Sequence, residues 1–256
     1  MVRGMNDRKT LARMLGDALS LSLPPIAVSM VDDLPASVPM YGQHVPAGCV
    51  FWQEAAKGAF ATGPTQHTHC TIGMYTHSLA RTPAEDAELG AALAVFADLG
   101  YVRAEDVPRI PTLKKSPKYV VYAPLAEAPL SPDVVLLFVK ASQQLILAEA
   151  SESVDGGLAP AMGRPACAIV PQAMNSGSAA LSLGCCGARA YVDAMTDDIA
   201  LYALPGARLE AYVARIAELA KANQVLGKFH TIRRKDIEAG GKPTLAESLA
   251  QLQSAG

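Results

Sequence analysis

Apolar and polar residues along this chain recur with two different periods, and each change of period marks an element. Leu11, Met14, Leu15, Ala18 and Leu19 recur at helical spacing, which predicts a helix over 7–21 that Pro24-Pro25 closes. A strand follows over 26–31. The stretch 32–48 holds Pro35, Pro39, Gly42 and Pro46, so it reads as a surface loop delivering Cys49 to the start of a helix over 49–57, ended by Gly58. Residues 60–62 read as a short strand, and Gly63-Pro64 as a turn into the segment 67–77. Thr82-Pro83 has the form of an amino-terminal cap with proline at the first helical position, and it predicts a helix over 84–99 that Gly100 stops.

After a proline-spaced connection, the apolar runs 119–123 and 134–139 predict two strands, with a helix over 141–150 behind them. A helix over 164–173, a strand over 178–183, and a strand or short helix over 199–203 come next. The last third reads as helical. It comprises 207–223, with Leu209, Tyr212, Val213, Ile216, Leu219 and Ala220 on one side, then 225–239 and 244–254. Short β-branched runs alternating with helices predict an α/β or α+β fold, a mixed sheet covered by helices on at least one face. The chain has no repeat or low-complexity tract. One compact domain over 1–256 is expected, with Gly156-Gly157 in a candidate seam at 151–163.

Composition narrows the partners. A chain of 256 residues with 50% hydrophobic and 18% charged residues buries a sizeable core. Its net charge of −2 comes from nearly balanced acids and bases, which gives no general attraction to nucleic acid or to an anionic membrane. The local basic cluster over 228–235 reads as a solvated helix face. Apolar runs stay short of the roughly 20 residues that span a bilayer. Asp17 interrupts the apolar part of the amino end, so that end reads as an amphipathic helix rather than a signal peptide. The expectation is a soluble, cytoplasmic protein. Its five cysteines, an odd number, argue against a disulfide framework and leave thiols free for chemistry. The apolar carboxyl-terminal helices also suit a homodimer, although periodicity does not separate core from interface.

Phosphate-binding loops and the esterase elbow have no match here, and the cysteines draw the attention instead. Cys49, in Gly48-Cys49-Val50-Phe51-Trp52, stands at a predicted helix start, where unpaired N–H groups favour a thiolate. Trp52 can wall a cofactor pocket or pack in the core. Cys70 ends His67-Thr68-His69-Cys70. If 67–77 were one helix, His67, Cys70, Met74 and His77 would share a stripe and His69 would point elsewhere. His67 and His77 would then lie roughly 15 Å apart along the axis, too far for one ion with metal–ligand bonds of about 2 Å. Only His67 with Cys70, or a loop carrying His69 and Cys70, can then share a centre; ordinary hydrogen-bonded histidines are the plain alternative. Cys185-Cys186 lies between Gly184 and Gly187 after a strand. In extended backbone adjacent side chains point to opposite faces, so one of the two packs. Gly184 can let N–H groups face a ligand, and Arg189 can supply a fixed positive charge that lowers a nearby thiol's pKa. Cys167 alone reads as a small hydrophobe, but it also qualifies as a fourth thiolate. Cys49, Cys70, Cys167 and Cys185 match no short spacing for zinc or ferredoxin sites, so only the fold can bring them together.

Three stretches carry a resemblance: Cys49-Val50-Phe51-Trp52 with Ala55 and Gly58, His69-Cys70-Thr71-Ile72-Gly73, and Ser182-Leu183-Gly184-Cys185-Cys186-Gly187-Ala188-Arg189 followed by Leu204-Pro205-Gly206. With these the chain resembles the uncharacterised prokaryotic family named domain of unknown function 169, from about Leu11 to Gly227. The resemblance brings no activity with it. It implies one cysteine before an x-Gly-x-Arg run, a place that Cys185 fills, and this turns Cys186 toward packing.

The resulting expectation is a soluble metal-binding protein. An iron–sulfur cluster or other metal ion would be held by Cys49, Cys70 and Cys185, completed by Cys167, Cys186 or His69, with Trp52, Gly184 and Arg189 bordering the cofactor. It would serve redox or Lewis-acid chemistry on a small-molecule ligand. Two alternatives stay open. One is a metal-free thiol enzyme with Cys70 or Cys185 as thiolate and His69 or His77 as base; the other is a small-molecule or heavy-metal binding module.

Overall fold

Val134, Leu136 and Phe138 face one way along their strand and Val135, Leu137 and Val139 the other, and all six are buried. A strand of this kind has protein on both faces. The computed structural model describes residues 2–254, with side chains from 7 to 253; residues 1, 255 and 256 of the expected domain lie outside the described residues. In chain order the elements are α1 (Val2–Leu19), β1 (Ile26–Val31), α2 (Val50–Glu54), β2 (Phe60–Thr62), α3 (Thr71–Thr76), α4 (Pro83–Asp98), β3 (Tyr119–Pro124) and β4 (Val134–Lys140). There follow α5 (Ala141–Val154), β5 (Ala161–Met162), α6 (Ile169–Ser176), β6 (Ala180–Ser182), α7 (Cys186–Tyr191), β7 (Ile199–Pro205), α8 (Leu209–Glu238) and α9 (Leu245–Ser254).

The strands form one sheet in the order β2-β3-β1-β4-β7-β6-β5. All pairs are antiparallel except β5 with β6, so the sheet is mixed, as the α/β or α+β reading has it. The longest ladder joins β4 to β7 and places Phe138 opposite Leu201 and Leu137 opposite Tyr202. One face of the sheet packs on Leu15 and Leu19 of α1, Leu147 of α5, and Tyr212, Val213 and Ile216 of α8. The other face, carrying Ile26, Val28, Tyr122, Leu136, Phe138 and Leu201, packs on Phe51 and Trp52 of α2, Met74 of α3, and Ile169 and Val170 of α6. Cys49, Cys70, Cys167 and Cys185 are on this second face. Among the described residues, no helix is long and apolar enough to cross a membrane.

Local chemistry explains the boundaries. Thr82 Oγ1 accepts from the Glu85 N–H at 3.3 Å while the Glu85 carboxylate accepts from the Thr82 N–H at 2.7 Å, a reciprocal cap that starts α4. Two expectations are corrected. The helices expected over 207–223 and 225–239 are one continuous α8. Gly227 costs a helix only about 1 kcal/mol, and Asn223 donates back to the Leu219 carbonyl at 3.0 Å without breaking the helix. The segment 67–77 is not one helix either. A 3-10 turn over Pro64–His67 ends before Cys70, whose φ of −135° and ψ of 64° reset the chain for α3.

Candidate functional site

Four of the five free cysteines come from four separate segments and meet on one face of the sheet. Cys49 precedes the first residue of α2, at the end of the loop 32–48, and is 6% exposed. Cys70 precedes α3, and Cys185 precedes α7 in extended conformation. Cys167 lies in a 3-10 turn over Ala166–Ala168 that leads into α6, is 8% exposed, and has its sulfur 4.0 Å from the Ile72 carbonyl oxygen.

Each sulfur lies within electrostatic range of others. Burial, with Cys70 and Cys185 contributing, pushes the Cys49 thiol up to about 12. Burial also raises Cys70, against the pull of the Gly48 and Gly73 N–H groups, and Cys185 adds to the rise. Burial raises Cys167 well above the usual thiol range, with Cys70, Cys185 and Cys49 contributing. Burial in this apolar setting therefore works against a thiolate at Cys49, Cys70 and Cys167. Backbone donors are nonetheless in place. The Cys49 and Val50 N–H groups favour a Cys49 thiolate, Gly48 and Gly73 favour a Cys70 thiolate, and the Ala188 N–H donates to the Cys185 sulfur at 3.5 Å.

Two glycines make room. A Cβ built on Gly48 would stand 2.9 Å from His67 Nδ1 and 3.7 Å from Cys70 Sγ. One built on Gly73 would stand 2.8 Å from Cys70 Sγ and 3.8 Å from His67 Nδ1. The imidazole nitrogen and the sulfur therefore both pack against the two glycines. The Tyr122 phenol of β3 is raised by burial, with Cys70, Cys167 and Cys49 contributing. Among the described residues, no group of three or more histidine, cysteine, aspartate or glutamate side chains is gathered closely enough to hold one metal ion.

The histidines are redistributed relative to a single helix. Because the chain turns at 68–70, the His67 and His77 rings stand 6.3 Å apart, centre to centre, instead of roughly 15 Å along one axis. Both are buried and neutral, lowered to about 3 for His67 by burial and the nearby His77, and to about 4 for His77 by burial. His69 is exposed, its ring 6.2 Å from that of His44.

The remaining candidates have other surroundings. Cys186 is exposed, which corrects the expectation that it packs: it begins α7, and helical geometry turns its side chain outward while Ala188 is buried. Arg189 reaches three carbonyls, donating to Leu183 at 2.6 Å, Thr196 at 2.8 Å and Ile199 at 3.1 Å, and so ties together the loop that carries Cys185. Gly184, with φ of 89°, makes the turn from β6 into that loop, and a Cβ there would strike Met195 at 2.8 Å. Trp52 is wholly buried, with Nε1 lacking a partner. A cleft of about 630 Å³ between α1, the start of β4 and the start of α8 contains none of the cysteines.

Sequence reasoning had paired His67 with Cys70 but gave no sign of Thr62, Thr76 or Tyr122. They are strand and helix residues of ordinary type, and only the tertiary fold brings Thr62 to His67, Thr76 to Cys167 and Tyr122 within electrostatic range of the thiols.

No curated protein and no solved structure matches the chain. A family model does match, over residues 14–215, a span that includes all five cysteines and every strand; it is that of domain of unknown function 169, described as an uncharacterised ArCR family. The chain belongs to this family.

Proposed function

We propose that Cys49, Cys70, Cys167 and Cys185 hold a metal centre, an iron–sulfur cluster in preference to a single ion, that serves redox or Lewis-acid chemistry on a small molecule. The observation that carries this reading is the mutual proximity of four thiols drawn from four segments, with no basic side chain among the groups that act on Cys49, Cys70 and Cys167. Left alone, the Cys49, Cys70 and Cys167 thiols are held protonated by burial. A bound cation reverses that balance and stabilises the thiolates.

The surroundings fit the group. Backbone N–H donors aim at three of the sulfurs, and hydrogen bonds to sulfur are a means of setting a cluster's potential. Gly48 and Gly73 allow His67 and the Cys70 sulfur an approach that a methyl group would block. A zinc ion would need its sulfurs at about 2.3 Å from one point, whereas a cluster spreads its metal atoms among thiolates that stand further apart. The bound group would supply electron transfer or a Lewis-acidic site. The chain's own part is to exclude water with Phe51, Trp52 and Tyr122 and to orient the thiols from the starts of three helices. The metal-free thiol enzyme is less well supported, because burial works against a thiolate at Cys49, Cys70 and Cys167.

Purification without oxygen, followed by iron and sulfide analysis and visible absorbance, tests this reading. Bound iron with charge-transfer absorbance is the expected result, lost in Cys49→Ser, Cys70→Ser and Cys185→Ser and kept in Cys186→Ser. A colourless chain that stays free of iron after anaerobic reconstitution overturns it.

A further inference from the structure

Arg8 of α1 stands apart from every other arginine whose side chain is described. Each of the others holds a carboxylate or a backbone carbonyl. Arg8 has neither an ion pair nor a hydrogen bond among the described residues, and its Nε is buried without a partner. A guanidinium keeps its charge and its five N–H donors at any working pH, so a donor taken out of water with no acceptor costs free energy until a group from outside supplies one.

Arg8 lines the cleft of about 630 Å³ between α1, the start of β4 and the start of α8, a volume in the range of small-molecule sites. Leu11, Met174, Pro205 and Leu209 give that lining an apolar part. Two of its segments are locked together. The Gly206 N–H donates to the Asp133 carbonyl at 2.8 Å, and a Cβ on Gly206 would run into the Pro132 carbonyl. Pro205-Gly206, which the thiol site does not use, therefore helps to fix the shape of this cleft.

Asp7, Asp133 and Glu210 line the same cleft, and none of them pairs with Arg8. Asp133 is already engaged, accepting from the Met30 N–H at 2.7 Å. The carboxylates of Asp7 and Glu210 have no ion pair or hydrogen bond among the described residues. A plain anion would meet these carboxylates, and a plain cation would leave Arg8 without an acceptor. Charges of both signs, held in one cleft without neutralising each other, match a ligand that carries both.

We propose that this cleft binds a zwitterionic amino acid with a large apolar side chain. Its carboxylate accepts from the Arg8 guanidinium, its ammonium donates to Asp7 and Glu210, and its side chain packs on Leu11, Met174 and Leu209. The cleft shares no residue with the thiol group, so the proposal stands or falls apart from any metal.

Titration calorimetry of the full-length, metal-free chain tests it with three probes: L-phenylalanine, 3-phenylpropanoate, which lacks the ammonium, and 2-phenylethylamine, which lacks the carboxylate. Phenylalanine should bind at least about tenfold more tightly than either analogue, as expected for the loss of one charge-assisted hydrogen bond. Arg8→Gln should weaken phenylalanine about tenfold or more and leave 2-phenylethylamine unchanged. The double variant Asp7→Asn, Glu210→Gln should weaken phenylalanine without weakening 3-phenylpropanoate. Arg13→Gln, which removes an exposed α1 charge outside the cleft, should bind as the parent does. Absence of phenylalanine binding up to about 10 mM, equal affinity for the three probes, parent affinity in Arg8→Gln, or the same loss in Arg13→Gln as in Arg8→Gln overturns the proposal.

Discussion

Gly73 and Cys70 stand so close that a methyl group on the glycine would lie 2.8 Å from the cysteine sulfur. The contact is made within the first turn of α3, where the Gly73 N–H also faces that sulfur. The helix can therefore present its amino-terminal donors to Cys70 only if position 73 has no side chain.

Gly73→Ala should accordingly push the Cys70 sulfur out of place. The expected result is loss of most bound iron after reconstitution, with a destabilisation of about 1–3 kcal/mol from overpacking. Gly90→Ala is the control, because a Cβ there meets nothing within 4 Å. In the middle of α4 it should stabilise by about 0.5–1 kcal/mol. Iron content and urea midpoints of the two variants check both halves.

The thiols should differ in reactivity in the metal-free chain. Cys186 is exposed, whereas Cys49 and Cys167 are buried with their thiols held protonated. Timed alkylation read by mass spectrometry should label Cys186 first and Cys49 and Cys167 last. Fast labelling of Cys167 in the folded chain would contradict its placement.

Asp155 joins three elements away from the thiols. Its carboxylate, 1% exposed, accepts from Arg208 at 2.7 Å, from the Ala179 N–H at 3.1 Å, and from the Tyr212 hydroxyl. Asp155→Ala removes the acceptor of the Tyr212 hydroxyl and of the Ala179 N–H, while Arg208 keeps its bond to the Val154 carbonyl. Since Arg208 is partly exposed, the expected loss is about 2–4 kcal/mol by urea unfolding. A loss below about 1 kcal/mol would mean that solvent replaces the carboxylate.

Acid should weaken the fold through the buried histidines. An unfolded histidine takes up a proton near pH 6.5, but burial and His77 lower His67 to about 3, and burial lowers His77 to about 4. Below pH 6.5 the unfolded chain binds protons that the folded chain does not. Stability is therefore full above that pH and falls toward pH 3–4, by up to about 1.4 kcal/mol per pH unit for each histidine. Urea midpoints at about pH 7 and about pH 5 should separate in the parent chain and draw together in His77→Phe. Equal separation in both would remove His77 from this effect.

Strand β1 is legible from its residues alone, because Ile26 to Val31 is a β-branched run between Pro24-Pro25 and a polar loop. The start of α4 is as legible, since Thr82, Pro83 and Glu85 form a complete cap within four positions. Segment 67–77 is not, because its residues suit a helix until Cys70 takes a non-helical backbone conformation. Nothing within that segment announces the break. It follows from docking His67 against Phe51, with ring centres 5.0 Å apart, and against Thr62. Cys186 was misplaced for a related reason: an extended run through Cys185 turns one neighbour inward, but the strand ends at Ser182 and a helix takes over at Cys186.

The amino-acid sequence alone determines the helical or extended character of segments such as β1, β3, β4 and α4, that the sheet is covered on at least one face, and which thiols have glycines beside them. These properties depend on the spacing of neighbours a few positions apart, and that spacing is written in the chain. The meeting of Cys49, Cys70, Cys167 and Cys185 was decided only in the tertiary structure. Cys49 and Cys185 come together because the sheet order sets β1 beside β4 and β7 beside β6, so loops from distant parts of the chain return over one face. Periodicity specifies the face a residue turns to the core, but which residues meet across that core depends on the order in which strands pair.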